Sequence, residues 1–238
     1  MPLLDIRKLF VKFSGRYDLV NSIETYEDNG ADFFIKAGQR YLDRLLDNGK
    51  MHARYYGQLE AGRSFMLIPM ARVIYGAAIY KATGSRICLE YVRADELKLL
   101  LKTELDIAEQ KQPTRFAPVG HRVVNAADLS NIPALWANVA YEDAEYTAVF
   151  FGNPSDAEYG VEIQGLFYSP SLDSDETKSY WTEEHPEVLV QAALYTLERF
   201  YRNFEGMKES KAAIDDLVKG IDMDTVAQQI VEFNQIGG

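Results

Sequence analysis

The sequence has one cysteine, three histidines and no long apolar run, and each shortage excludes a class of protein. The single cysteine, Cys88, excludes an internal disulfide and a metal site built from several thiolates. Its apolar neighbours Ile87 and Leu89 predict a small buried side chain. The histidines have no His-x-x-His or His-Glu-x-x-His spacing. No stretch approaches the roughly 20 apolar residues that cross a bilayer, and the charged N-terminus predicts no secretory signal peptide.

A basic excess and the common catalytic motifs are also missing. The chain has 25 Lys and Arg and 36 Asp and Glu, which give a net charge of -11. This charge argues against tight binding of nucleic acid over a broad surface. The glycines match neither a P-loop nor a dinucleotide fingerprint, and no Gly-x-Ser-x-Gly elbow occurs. The segment from Asp173 to Glu176 lacks the spaced oxygen ligands of an EF-hand and is interpreted as an acidic linker. These patterns predict no catalytic residue, no metal ligand and no cofactor.

Helical periodicity is present at both ends of the 238 residues. The first helix is predicted over 3–13, with Leu3, Ile6, Phe10 and Phe13 on its apolar face. The next runs from about Ala31 to Leu46, with Phe33 among its apolar residues and Asp28 or Asn29 as its cap. A C-terminal helix starts at Pro186 and carries a stripe of Leu189, Ala193, Leu197, Phe200 and Phe204. Further helices are predicted over 207–219, ended by Gly220, and over 224–233.

The middle of the chain has the composition of strands. Strands are predicted over 53–59, 64–68, 72–80 and 86–92, with hairpin turns at Ala61-Gly62 and at Thr83-Gly84-Ser85. A helix is predicted over 94–105, and 129–137 is left as a short helix or a strand. Strands at 146–151 and 159–168 are predicted to form a hairpin that joins the sheet begun at residue 53.

These elements predict an α+β fold: a helical bundle formed by N- and C-terminal helices with an inserted antiparallel β-rich region. The predicted helical domain comprises residues 1–50 and 184–238, and the β-rich insertion comprises 51–183. The apolar faces of the terminal helices are too wide to be left in water, which favours their packing together.

Three segments resemble a known family. They are Ser14-Gly15-Arg16-Tyr17-Asp18-Leu19-Val20, the run from Asn29 to Arg44, and the run from His185 to Tyr195. Together they resemble the adaptor, or head–tail connector, proteins of tailed bacteriophages with short tails. The matching segments lie near both ends and bracket most of the chain, whereas the β-rich middle carries no part of the resemblance.

The resemblance implies a structural virion protein located in the tail or neck and made in the host cytoplasm. Such adaptors form a ring, typically of twelve copies, that connects the portal protein to the tail nozzle and fibre proteins. DNA passes through the ring without specific binding, and the acidic charge of this chain suits such a channel. By the same analogy, residues 221–238 dock onto the portal. No membrane and no enzymatic activity are implied.

Candidate interface residues follow from the loop and the helices. Arg16, Tyr17 and Asp18 open a loop after the first helix, and Tyr and Arg are enriched at interface hot spots. An ordinary turn, in which the arginine pairs with a carboxylate, explains them equally well. The full candidate set is Arg16, Tyr17, Asp18, Arg40, Tyr41, Phe200, Tyr201 and Phe233.

Two other functions remain open at this stage. The β-rich middle with its many tyrosines could be a protein- or carbohydrate-binding module, which would need exposed aromatic residues on a sheet. An enzyme with a dispersed acidic site could use Glu162 or Glu90, which would need a second carboxylate facing the first across a cleft.

Overall fold

The computed structural model describes residues 1–45, 52–96, 110–121 and 146–236, with side chains given through Ile221 in the last helix. The chain divides into two compact units: Met1–Met51 with Tyr168–Gly238, and His52–Phe167. Helices dominate the first unit and strands the second. The protein therefore combines helices with largely antiparallel sheets, as the sequence predicts. Among the described residues, no helix is both long and apolar enough to cross a membrane.

The first unit contains five α-helices within its described residues, and their ends follow local signals. They are α1 (Leu3–Ser14), α2 (Ala31–Leu45), α3 (Tyr180–Glu184), α4 (Pro186–Phe200) and α5 (Phe204–Ile236), with a 3-10 helix at Tyr17–Leu19. The predicted cap of α2 is confirmed, because the Asp28 carboxylate accepts hydrogen bonds from the backbone N–H groups of Gly30 and Asp32. The predicted stop at Gly220 is wrong. A glycine inside a helix costs only about 1 kcal/mol, and α5 continues through it.

The core of the first unit lies where α2 packs on α4 and α4 packs on α5. A Cβ atom added to Gly38 would lie 2.7 Å from the backbone nitrogen of Ala193, so α2 and α4 approach each other closely at this position. The buried side chains of this core include Phe10, Phe34, Ile35, Leu42, Trp181, Leu189, Ala193, Leu197 and Ile214.

Four phenylalanines that the helical pattern assigned to apolar faces are exposed instead: Phe13, Phe33, Phe200 and Phe204. The prediction of a buried stripe is confirmed for Leu189, Ala193 and Leu197 and is wrong at its C-terminal end. Periodicity identifies which residues share a helix face. It does not say how far along the helix a neighbouring element covers that face.

A buried arginine joins three segments of the first unit. The Arg7 guanidinium donates to the Asp32 carboxylate at 2.7 and 2.8 Å, to Asp175 at 2.7 Å and to the Tyr26 carbonyl at 2.9 Å. These hydrogen bonds connect α1 with the start of α2 and with the loop before α3. Because the arginine is buried with its charge matched by carboxylates, we assign it a structural role.

The second unit contains two four-stranded sheets. Its strands are β1 (His52–Leu59), β2 (Phe65–Ile68), β3 (Ala71–Tyr80), β4 (Arg86–Cys88), β5 (Glu90–Tyr91), β6 (Arg115–His121), β7 (Tyr146–Phe150) and β8 (Tyr159–Phe167). The first sheet has the order β1-β8-β3-β4 and is antiparallel throughout. The second has the order β2-β7-β6-β5, in which only the β5–β6 pair is parallel.

Only one of the three predicted hairpins forms. The β3–β4 hairpin with its turn at Gly84 is confirmed. Strands β1 and β2 belong to different sheets, as do β7 and β8, so the hairpins predicted at Ala61-Gly62 and at 146–168 are wrong. A turn signal shows that the chain reverses, but the pairing of β8 with both β1 and β3 depends on residues far apart in sequence. The predicted helix over 94–105 falls mostly, and the segment 129–137 wholly, outside the described residues.

The two sheets share one apolar core, which includes Leu59, Ile79 and Ile163 from the first sheet and Ile68, Phe116 and Val149 from the second. Alternation along β8 turns Glu162 to the face opposite Val161 and Ile163. Cys88 is exposed, so its predicted burial is wrong. It ends the short strand β4 at the border of the sheet, and the Arg86 guanidinium lies 3.0 Å from its sulfur.

Candidate protein-interaction surface

The loop after α1 holds the side chain of Arg16 in a fixed place. Gly15 ends the helix with φ +67, a conformation that glycine adopts without strain. The Arg16 Nε and Nη2 atoms then donate to the two carboxylate oxygens of Asp18 at 2.8 and 2.7 Å. This bidentate pairing fixes the orientation of the guanidinium plane.

The same guanidinium reaches the end of α4, far away in sequence. Its Nη2 atom donates to the Tyr201 hydroxyl at 2.7 Å, and its central carbon lies 4.3 Å from the centre of the Tyr201 ring. Hydrogen bonds to Asp18 and then to Tyr201 raise the pKa of Arg16, and the bond from Arg16 lowers the pKa of Asp18. Arg16 therefore stays charged while it positions the exposed tyrosine.

Aromatic rings continue from Tyr201 across the surface. The rings of Tyr201 and Phe200 pack edge to face with their centres 5.2 Å apart. The Phe200 ring also packs on the buried Phe34 ring, with 5.6 Å between the ring centres. Phe34 in turn meets Phe33 at 5.2 Å. Phe33 and Phe200 nonetheless expose 61% and 63% of their surface, and Phe204 exposes 67%. Large apolar side chains exposed together are typical of an interaction site.

The turn between α4 and α5 carries two more arginines, which are adjacent in sequence to Phe200 and Tyr201. The Asn203 N–H donates to the Glu198 carbonyl at 2.9 Å, which closes a Schellman-type helix end. Arg202 occupies its left-handed position, with φ +59, where glycine is the usual residue. Arg199 and Arg202 are both exposed, and within the described part of the chain neither forms an ion pair. A long cationic side chain is thus held at a position that favours glycine.

We call these residues the arginine–aromatic surface: Arg16, Phe33, Arg199, Phe200, Tyr201, Arg202 and Phe204. It brings together three of the predicted interface residues, with Tyr17 and Asp18 beside it in the same loop. Its other four members were not predicted as interface residues. The sequence signal for three of them was the run from Arg199 to Phe204, in which arginine and aromatic residues are interleaved.

The remaining predicted interface residues lie elsewhere. On α2, Arg40 lies over the Tyr168 ring at 5.5 Å, and the Tyr41 ring lies 5.0 Å from that of Tyr195. Burial raises the pKa of Tyr41, with smaller contributions from Tyr195 and Asp215. Tyr41 therefore takes part in internal packing. The side chain of Phe233 is outside the described residues.

The acidic groups proposed for an enzyme site are engaged in ion pairs. Glu162 is fully covered and accepts hydrogen bonds from Arg86 at 3.1 Å, from Gln164 at 2.6 Å and from the Tyr80 hydroxyl. The hydrogen bond from Arg86 and, to a smaller extent, those from Tyr80 and Gln164 lower the pKa of Glu162 to about 2. A carboxyl group with this pKa is ionised at neutral pH and cannot donate a proton as a general acid there. Glu90 is exposed and pairs with Arg115 at 3.2 Å.

In the first unit, the buried acid Asp43 also has its hydrogen-bond partners. Asp43 accepts hydrogen bonds from the Trp181 indole at 2.7 Å and from the hydroxyl and backbone N–H of Ser169 at 2.7 and 3.0 Å. Over the described ranges, no group of three or more His, Cys, Asp or Glu side chains is arranged to hold a metal ion. The comparisons with known proteins add no relative: no family model matches the chain, and no curated protein matches it significantly.

Proposed function

We propose that the chain is a structural subunit that assembles with copies of itself and with other proteins through the arginine–aromatic surface. The observation that carries the proposal is that Phe33, Phe200 and Phe204 are each more than 60% exposed, and that Phe200 packs on the Tyr201 ring, which Arg16 holds in place. Aromatic and arginine side chains contribute most of the binding energy at many protein interfaces. The extended ring contacts from Phe34 to Tyr201 hold the exposed rings in place before a partner binds, which reduces the entropy lost on association.

The family resemblance specifies this proposal further. The chain would be the adaptor of a short-tailed phage, forming a ring of about twelve copies between the portal and the tail nozzle and fibres. Its terminal helices would form one bundle carrying the strands as an insertion, and the C-terminal part of α5 would dock onto the portal. The net charge of -11 suits a ring through which DNA moves without binding.

Particle mass tests the proposal directly. Twelve copies of the 27.0 kDa chain have a mass of about 324 kDa, which mass photometry separates from the monomer. The purified chain is measured alone and after mixing with portal rings from the same phage, and the assemblies are imaged by electron microscopy. A chain that remains monomeric at all concentrations and does not bind the portal contradicts the proposal.

A matched pair of variants links assembly to the surface. Phe204→Ser removes an exposed ring of the arginine–aromatic surface, whereas Ile23→Ser removes a similarly exposed apolar side chain from the loop before α2. We expect Phe204→Ser to weaken assembly at least about tenfold and Ile23→Ser to leave it unchanged. Equal effects of the two substitutions would show that general apolar exposure, and not this surface, drives association.

The second candidate function is glycan or peptide binding by the outer face of the first sheet. Tyr56 and Tyr75 expose 61% and 48% of their surface there, and the Tyr75 hydroxyl lies 3.1 Å from the His52 ring nitrogen. Exposed aromatic rings on a sheet are the feature that a binding module requires. Screening on a glycan array, followed by calorimetry with Tyr56→Ala and with Tyr91→Ala as the control, tests this candidate. It fails if no ligand binds or if both variants bind alike.

A further inference from the structure

The arginine–aromatic surface carries two arginines that form no ion pair with the described residues, although the chain as a whole is acidic. Arg199 and Arg202 are exposed without a carboxylate partner among the described residues, whereas Arg16 is already paired with Asp18. The chain has 36 acidic and 25 basic residues, so carboxylates are more numerous than the basic groups they could pair with. Exposed arginines that nevertheless form no ion pair within one copy favour an acidic binding partner. The same unit contains a segment with the complementary chemistry.

That segment is the loop from Asp173 to Glu176, which we call the acidic loop. Asp173, Asp175 and Glu176 are all exposed. Asp175 also receives a hydrogen bond from Arg7, and Asp173 lies 3.7 Å from Lys36, a loose pair. Glu176 forms no ion pair within the described part of the chain. The loop therefore offers two carboxylates, on Asp173 and Glu176, that can bind a further cation.

Backbone hydrogen bonds hold the acidic loop in a defined position. The Leu3 N–H donates to the Thr177 carbonyl at 3.0 Å, and the Leu4 N–H donates to the Asp175 carbonyl at 3.1 Å. Thr177 also donates its N–H to the Ser174 carbonyl at 2.9 Å. Because the start of α1 fixes the loop, its carboxylates are presented without a large ordering cost on binding.

We propose that the arginine–aromatic surface of one copy binds the acidic loop of the next copy. Within one copy, neither Arg199 nor Arg202 reaches a carboxylate of the described residues, so both remain available for a neighbour. Guanidinium groups pair with carboxylates through two parallel hydrogen bonds, and the adjacent rings exclude water from such pairs. The contact joins two different parts of the chain, and repetition of such a head-to-tail contact produces a ring when it closes. This inference rests on the proposed self-assembly.

Charge reversal on each side gives the decisive test. The first variant carries Arg199→Glu and Arg202→Glu, and the second carries Asp173→Lys and Glu176→Lys. Asp175 is left unchanged because it binds the buried Arg7. We expect each variant alone to associate at least about tenfold more weakly than the natural chain, because like charges then face each other. Circular dichroism and thermal melting establish that each variant is folded.

An equimolar mixture of the two variants should restore assembly. In the mixture, the reversed surface of one variant faces the reversed loop of the other, while the natural surface of the second faces the natural loop of the first. Alternating copies then complete every contact, and a ring with an even number of subunits can close. Zero-length cross-linking between isotopically labelled and unlabelled copies should also join the reversed loop of one variant to the reversed surface of the other.

Controls matched in charge exclude a general electrostatic effect. Lys12→Glu with Lys219→Glu changes the net charge as much as the surface variant does, and Glu24→Lys with Asp216→Lys matches the loop variant; all four positions are exposed. We expect these controls to assemble like the natural chain. If the natural chain assembles but the reversals have no effect, or the mixture restores nothing, the inference is overturned and self-assembly stands. If the natural chain does not assemble even with portal rings, the proposed function fails.

Discussion

Replacing Gly38 with alanine tests the close contact between α2 and α4 in the first unit. The new Cβ would lie 2.7 Å from the Ala193 nitrogen, 2.8 Å from the Ala192 carbonyl carbon and 3.0 Å from the Ala193 Cα. All three are backbone atoms of α4, so no side-chain rotation relieves the overlap. Since carbon atoms pack best at about 3.5–4.0 Å, α2 and α4 would have to separate by roughly 1 Å.

The expected change in stability combines two opposing effects. Overpacking of a close-packed interior costs about 1–3 kcal/mol, and rigid backbone neighbours place this case near the upper end. Alanine returns about 1 kcal/mol because it is the better helix former. We therefore expect Gly38→Ala to lower the free energy of unfolding by about 2 kcal/mol. With a denaturant slope of about 2 kcal/mol per molar urea, the midpoint falls by about 1 M.

Urea titration followed by circular dichroism at 222 nm measures this change, and Gly220→Ala is its matched control. Gly220 also lies inside a helix, but among the described residues a Cβ there has no neighbour within 4 Å. The control should raise stability by about 0.5–1 kcal/mol through helix propensity alone. If Gly38→Ala is stabilising to the same extent, α2 and α4 are not in close contact at Gly38.

Three further substitutions test other parts of the structure. Glu162→Gln should lower the free energy of unfolding at pH 7 by about 2 kcal/mol. The pKa of Glu162 falls from 4.5 to about 2 on folding, so its carboxylate stabilises the protein above about pH 4.5 and this stabilisation is lost as the pH falls to 2. Urea titrations at each pH should therefore show that the variant loses less stability than the natural chain between pH 4.5 and 2. Asp43→Ala leaves the Trp181 and Ser169 donors without their acceptor and should lower the free energy of unfolding by about 3 kcal/mol. Thermal melting measures this change, and an unchanged melting temperature would contradict the buried network. Arg202→Gly should raise the free energy of unfolding by about 0.5–1 kcal/mol, because glycine adopts the left-handed backbone at this position without strain. The same variant should self-associate more weakly, as measured by sedimentation. A destabilised variant would show that the arginine side chain itself supports the fold.

The sequence alone determined the elements whose signals are local. The helix starting at Pro186, the cap at Asp28, the hairpin at Gly84 and the presence of both helices and antiparallel strands follow from short patterns. The loop Arg16–Asp18 was also identifiable, because a helix ends there and its residue types are typical of interfaces. Each of these predictions depends on residues within a few positions of one another, where backbone geometry leaves few alternatives.

The tertiary structure decided which residues are covered and which strands pair. Arg16 and Tyr201 are in contact although 185 positions separate them, and every residue of β8 that pairs with β1 or β3 lies at least 80 positions from its partner. Phe200 and Leu197 share a periodic apolar pattern, yet one is exposed and the other is buried. The physical reason is that periodicity defines the faces of a helix or strand, whereas burial depends on where other elements end. That difference leaves the C-terminal end of an apparent core stripe, at Phe200 and Phe204, exposed to solvent.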